Sequence, residues 1–246
     1  MKITKVIKFG GSSIADAKKI ENILDIIASC DSKTVVVLSA IGNTTNELID
    51  CGRLACNRDR NYKKLLNSIL KSHIEICQEL VDFKSQSEIL SQIQKEFNIL
   101  DSILESVFNL KEISSKTDYK ISGFGEILSH YLIGKIGQLK GLDIFIKDSR
   151  EIITTKLRKV NGIKQVDYEL TNRKWGEFVK NVENNIIVMP GFIARDNFGD
   201  DVTLGRGGSD FTASLIASIT NSNYLEIWTD VSGIFTADPR IVKQAY

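Results

Sequence analysis

The sequence has little from which to build a metal centre or a nucleophilic triad. It holds two histidines, His73 and His130, and four cysteines, Cys30, Cys51, Cys56 and Cys77. No two cysteines form a C-x-x-C pair, so the spacing does not suit zinc. The four read as reduced thiols in a cytosolic core. Both histidines fall within apolar helical stretches and no nucleophile motif accompanies them. That argues against Ser-His-Asp or Cys-His chemistry and for structural or exposed histidines. No apolar run approaches the roughly 20 residues needed to span a bilayer. The opening stretch MKITKVIKFGG is broken by lysines and does not read as a signal peptide. A cytoplasmic location is expected. Nor does one sign of charge dominate: 32 basic residues stand against 31 acidic, a net charge of +1. This gives no electrostatic case for nucleic acid or an anionic membrane.

What is present is an ordinary globular composition, 42% hydrophobic and 26% charged, long enough for one large α/β domain. Ile3 to Phe9 reads as a buried strand ending at Gly10-Gly11, with Ser12 and Ser13 as candidate N-caps. Ile20, Ile23, Leu24 and Ile27 then have helical spacing. TVVVL (34–38) is a β-branched run expected of a strand covered on both faces. Strand, glycine turn, helix and strand make a βαβ unit and imply a parallel sheet. Residues 44–111 differ: they lack proline and carry long amphipathic patterns, such as Ile89, Ile93, Phe97, Leu100, Leu104 and Val107. These predict two or three packed helices. Further on, helices are expected at 119–139, 172–182 and 211–219. Strands are expected at 143–147, 152–155, 186–189 and 224–229, and a hairpin or loop at 194–208.

Four glycine-bearing segments follow strands. In Lys8-Phe9-Gly10-Gly11-Ser12-Ser13, glycines let the backbone approach an anion and a lysine stands ready for phosphate. The pattern is neither G-x-x-x-x-G-K-[ST] nor G-x-G-x-x-G, and a plain strand–helix turn explains the glycines equally well. Ser39 to Asn46 offers small hydroxyl residues at the carboxyl end of the sheet, where open α/β sheets place ligands. Thr44 or Thr45 could equally cap the next helix. In Leu204 to Asp210, Arg206 between glycines at a helix start suits capture of a carboxylate or phosphate, and Asp210 could orient a lysine or a metal. Capping would explain Ser209. Trp228 to Arg240 ends in an Asp-Pro-Arg turn that could present arginine to phosphates or form an ordinary surface salt bridge. Glu126, taken to lie near the start of its helix, has a dipole explanation that requires no function.

Together KFGGSS (8–13), SAIGNTTN (39–46), SGFGEILS (122–129), MPGFIARD (189–196), TLGRGGSDFTA (203–213) and IWTDVSGIFTADPR (227–240) resemble the aspartate kinase branch of the amino-acid kinase family, in the family's order and across nearly the whole chain. The resemblance implies an α/β fold, a three-layer αβα sandwich with a mainly parallel central sheet and a helical insertion at about 44–111. It implies transfer of the γ-phosphoryl of ATP, with Mg²⁺, to the β-carboxylate of L-aspartate, the first step towards lysine, threonine and methionine. Lys8 resembles the lysine that stabilises the transferring phosphoryl group, and Asp210 the aspartate that positions it. Ser39, Thr45, Glu126, Phe192, Arg206 and Ser209 resemble substrate-binding residues, with Glu126 on the ammonium and Arg206 on the carboxylate. Gly10, Gly11, Thr229, Asp230, Phe235 and Arg240 resemble the nucleotide side, although many family members have tyrosine in place of Phe235. No protein-held metal is implied, and a homodimer is compatible. Family members continue beyond the equivalent of Tyr246 with a helical segment and regulatory ACT domains. Residues 1–246 are therefore expected to be a catalytic domain cut short at its C-terminus. A different small acid as acceptor, or a binding unit without turnover, remains open.

Overall fold

The first βαβ unit forms as its periodicity demands, in a computed structural model that describes residues 3–160, 163–229, 233, 236–237 and 241–244. Strand β1 (Lys5–Phe9) leads through a 3₁₀ turn into helix α1 (Ala17–Ala28) and strand β2 (Thr34–Leu38). The cap of α1 is not Ser12 or Ser13, which lie in the 3₁₀ turn at Gly11–Ile14. Asp16 caps instead, its carboxylate accepting the Lys19 N–H at 2.9 Å.

Three helices follow, α2 (Thr44–Cys56), α3 (Asn61–Leu80) and α4 (Gln86–Leu110), and then the long α5 (Ser115–Leu139). The expected stripe of α4, from Ile89 to Val107, is buried. Beyond it come β3 (Ile144–Ile146), β4 (Thr154–Val160), β5 (Ile163–Val166), α6 (Tyr168–Val179), β6 (Ile186–Pro190), β7 (Ile193–Asp196), β8 (Asp201–Thr203), α7 (Gly208–Thr220) and β9 (Tyr224–Trp228).

The central sheet has the order β3-β6-β2-β1-β9, and every pairing in it is parallel. Side chains alternate between two apolar cores, as a pleat requires. Ile7, Phe9, Val36, Leu38, Ile186 and Val188 face the core shared with α1 to α5. Val6, Val35, Val37, Ile187 and Met189 face the other, with Trp175 of α6 and Ala213 and Ile216 of α7. Helix, sheet and helix layers are thus the expected sandwich. A second sheet, β5-β4-β7-β8, was not foreseen. The strand expected at 152–155 belongs to it, pairing antiparallel with β5 and parallel with β7.

Both histidines are buried, and each Nδ1 lies within hydrogen-bonding distance of the carbonyl one helical turn back, Ile69 for His73 and Glu126 for His130. Burial pushes both rings below their ordinary pKa. All four cysteines are free.

Candidate active site

The alternation that puts Val6 in the second core also turns Lys8 to that face. Its side chain is almost buried, and Nζ lies 2.7 Å from Oδ1 of Asp210 in the first turn of α7. Immediately beyond, the chain turns through Gly10, whose N–H donates to the Trp228 carbonyl at 3.0 Å. At Gly11 a Cβ would stand 2.6 Å from the Gly42 carbonyl oxygen and 2.8 Å from that of Ala40. Only glycine lets the loops after β1 and β2 meet here, and Gly42 N–H closes the contact on Gly11 O at 3.1 Å.

The loop after β2 enters α2 at Asn43 without a side-chain cap. Thr44 donates its hydroxyl to Ile41 O at 2.6 Å, so it is tied to the backbone. Thr45 is left facing Glu126, to which its hydroxyl and the Ala40 N–H donate. Glu126 does not lie in the first turn of its helix. It lies in the middle of α5 and is 4% exposed, so the helix dipole cannot account for it. Burial pushes its carboxyl up to about 8, against the partial relief those donors give. Its Oε2 has no hydrogen-bond partner.

The remaining wall is the β7–β8 hairpin and the loop that follows it. Gly207, at φ +72°, is the N-cap of α7 and leaves no side-chain cap, so Ser209 does not serve as one. Phe192, at φ +64°, is held in that left-handed conformation from two sides. Its N–H donates to Thr212 Oγ1 at 3.1 Å, and its carbonyl accepts Leu204 N–H at 2.8 Å.

These segments enclose one cleft of about 600 Å³, lined by Lys8, Gly11, Ser39, Thr45, Glu126, Phe192, Arg206, Ser209 and Asp210. Gly10 and Thr229, which follow the ends of β1 and β9, are not part of its lining. Asp230, Phe235 and Arg240 lie outside the described residues. Sequence reasoning did not single out Asn43, Asn46, Ile49, Asp118, Ser122 and Thr203, which also line the cleft. For two of them a signal existed: Asp118, Ser122 and Glu126 are spaced four apart and share one helical face.

Cations and an unsatisfied buried carboxylate thus share one cleft at the carboxyl ends of parallel strands. Such a cleft suits a small ligand bearing both anionic and cationic groups. Among the described residues no three His, Cys, Asp or Glu gather as a metal site, and no helix is long and apolar enough to cross a membrane.

The model of the amino acid kinase family matches residues 4–246. A chloroplastic bifunctional aspartokinase/homoserine dehydrogenase of Arabidopsis thaliana is 30% identical over 241 residues, covering 97% of this chain and 26% of that protein. The aspartokinase of Chlamydia trachomatis is 32% identical over 238 residues, covering 97% and 51%. Among solved structures, E. coli aspartokinase III in complex with aspartate and ADP matches at TM-score 0.87 and 29% identity, covering 98% of this chain and 52% of that one. The chain therefore spans between about a quarter and about half the length of these relatives.

Proposed function

The chain belongs to the amino acid kinase family, and from that premise we propose that it is the catalytic domain of an aspartate kinase. It transfers the γ-phosphoryl of ATP to the β-carboxylate of L-aspartate, giving 4-phospho-L-aspartate, the first step towards lysine, threonine and methionine. The observation that carries this reading is Glu126, a buried carboxylate with an unpartnered oxygen in the same cleft as Arg206 and Lys8. A group so placed requires a cation, and an amino-acid ammonium supplies one.

Aspartate's β-carboxylate is already ionised at neutral pH, so attack on the γ-phosphorus needs no general base. Catalysis is alignment plus charge neutralisation. Glu126 takes the ammonium, and Arg206 grips a carboxylate through its planar fork. Ser39, Thr45, Ser209 and Phe192 complete the substrate pocket. Asp210 holds Lys8 where it can meet the transferring phosphoryl group. Gly10 and Gly11, with Thr229, Asp230, Phe235 and Arg240, form the nucleotide side. Mg²⁺ fits this site as a passenger on the phosphates, since it commonly takes only one or two carboxylates and keeps its waters. Asp210, with a side chain 47% exposed at the cleft, is one carboxylate of the lining that would meet it, and the ion would neutralise phosphate charge. Residues 1–246 form the catalytic domain, with 44–111 as its helical insertion. A cytoplasmic setting goes with four free thiols.

The test is ATP-dependent acyl-phosphate formation by this chain, trapped as hydroxamate across a panel of small acids. Aspartate should react, and glutamate should not. Lys8→Ala should lower kcat by about 10²- to 10³-fold with little change in the KM for aspartate. A better yield with another acid would replace the acceptor, and equal losses in kcat and affinity would remove Lys8 from the phosphoryl group.

A further inference from the structure

Arg206 sits in a tight turn, closed by the Gly208 N–H on the Gly205 carbonyl at 2.9 Å. Gly205 and Gly207 flank the arginine, both at positive φ, and glycine imposes little conformational restraint. Among the described residues Arg206 has no carboxylate partner to hold it. The place of the turn is therefore set by the elements that flank it, helix α7 and the strand β8. That strand opens on Asp201, whose two oxygens are held by different arginines. Oδ2 accepts Arg150 Nη1 at 2.9 Å, and Oδ1 accepts Arg195 Nε and Nη2, each at 3.2 Å.

Arg150 is in turn immobilised from the central sheet. Its Nε reaches both oxygens of Asp148 at 3.1 and 3.0 Å, and its Nη2 reaches Oδ2 at 2.6 Å. Asp148 follows Lys147, whose N–H donates to Val188 O of β6 at 2.9 Å. Ser149, between them, is buried and donates its hydroxyl to Ile193 O of β7 at 3.0 Å. The side chains of Arg150, Asp148 and Asp201 are about a fifth exposed or less, where a forked, hydrogen-bonded pair holds its geometry better than a surface ion pair does.

We propose that Arg150 is a positioning residue: by tying Asp201 to the end of β3, it fixes β8 and thereby places Arg206 for the substrate carboxylate. The part that concerns substrate rests on the aspartate kinase reading. The part that concerns the turn does not, and the experiment separates the two.

Hydrogen exchange on wild type and Arg150→Met is the first readout. Amides at 204–208 should exchange several-fold faster in the variant, while those in α5 stay unchanged. Steady-state kinetics is the second. The KM for aspartate should rise about 10-fold, with kcat and the KM for ATP held within about twofold. Arg150→Lys keeps the charge but not the fork, and should leave most of that rise in place. Unchanged exchange at 204–208 overturns the proposal. So does kinetics in which kcat falls while both KM values rise together, as for simple loss of structure. Should Arg150→Met fail to fold, Asp201→Asn weakens the other end of the same tie, at a side chain 19% exposed. It should show the same exchange pattern at smaller amplitude, and its absence there is decisive against the proposal. A wild-type chain that forms no aspartyl hydroxamate sinks the aspartate reading, while the exchange data still decide the turn.

Discussion

Helix α5 brings Glu126 to the cleft through close packing, whereas the β7–β8 hairpin brings Arg206 there through ion pairs. On the α5 side, Gly125 lies so near the loop after β2 that a Cβ on it would stand 2.6 Å from that of Ala40. Asp118, Ser122 and Glu126 look out of a helix whose other face is apolar core. On the hairpin side, Lys164 holds Asp196, Arg150 and Arg195 share Asp201, and Lys116 reaches Asp200. Burial gives the first wall a carboxylate with no resident cation. Pairing gives the second a framework in which the acids are already neutralised, leaving Arg206 as the group with charge to offer. The two walls thus present opposite unmet needs to one ligand.

The comparison breaks first at Glu126. Glu126→Gln should raise the KM for aspartate about 100-fold, since truncating one partner of a buried charge pair costs on the order of 2–5 kcal/mol. The KM for ATP should hardly move, which initial rates with each substrate varied in turn will show. A rise below about threefold would transfer the ammonium to another carboxylate, and Asp118→Asn then becomes the variant to measure.

The same residue sets a pH dependence. Glu126 rises from an ordinary 4.5 to about 8 in the folded chain. Between those values the folded protein keeps a proton that the unfolded chain has released, so stability falls as pH rises through the window and levels off above it. Urea unfolding at pH 5 and pH 8 should differ by a Glu126-dependent part of roughly 3–4 kcal/mol. Glu126→Gln should remove that part; an identical pH slope in wild type and variant would deny the burial any weight. Aspartate should oppose the slope, because its ammonium favours the ionised form.

Gly125→Ala tests the packing of the same wall. The added Cβ meets Ala40, and overpacking of this kind costs about 1–3 kcal/mol. The melting temperature should drop by about 2–4 °C per kcal/mol for a chain of this size. Ala40→Gly in the same chain should restore much of the loss. A variant as stable as wild type would mean that α5 retreats freely.

How much of this could be read in the chain beforehand follows from the range of the interactions. The first βαβ unit, the helical block and the glycine loops are local patterns, and β2 falls on the residues expected. Lys8, Ser39, Thr45, Glu126, Phe192, Arg206 and Ser209 came together because each lies at or beside a strand end or a glycine turn, or on the one helix packed against them. The second sheet was missed because β5, the neighbour with which β4 pairs, was not read as a strand, and because the join from β4 to β7 reaches far along the chain. The depth of Glu126 was missed because its helix begins at Ser115, earlier than the apolar pattern implies. Its first turns are polar on the cleft side, which hides the periodicity. The Arg150–Asp201 pair joins positions 51 apart, and nothing local announces which of many charged residues will meet.

The smallest effect is expected at Lys116, and it marks where the hairpin wall stops depending on charge. Its pair with Asp200 resembles the inner ones on paper, but the lysine side chain is 67% exposed. Exposed pairs are screened and lose side-chain entropy on forming. Asp200 also follows a turn already fixed without the lysine: Asp196 Oδ1 accepts the N–H groups of Phe198 and Asp200 at 2.9 and 3.1 Å. Lys116→Met should therefore leave the melting temperature and the KM for aspartate at their wild-type values, in low and in high salt alike. If instead it loosened the amides at 204–208 as Arg150→Met is expected to, the hairpin would be held by the sum of its charges. The geometry of one buried fork would then not be what places Arg206.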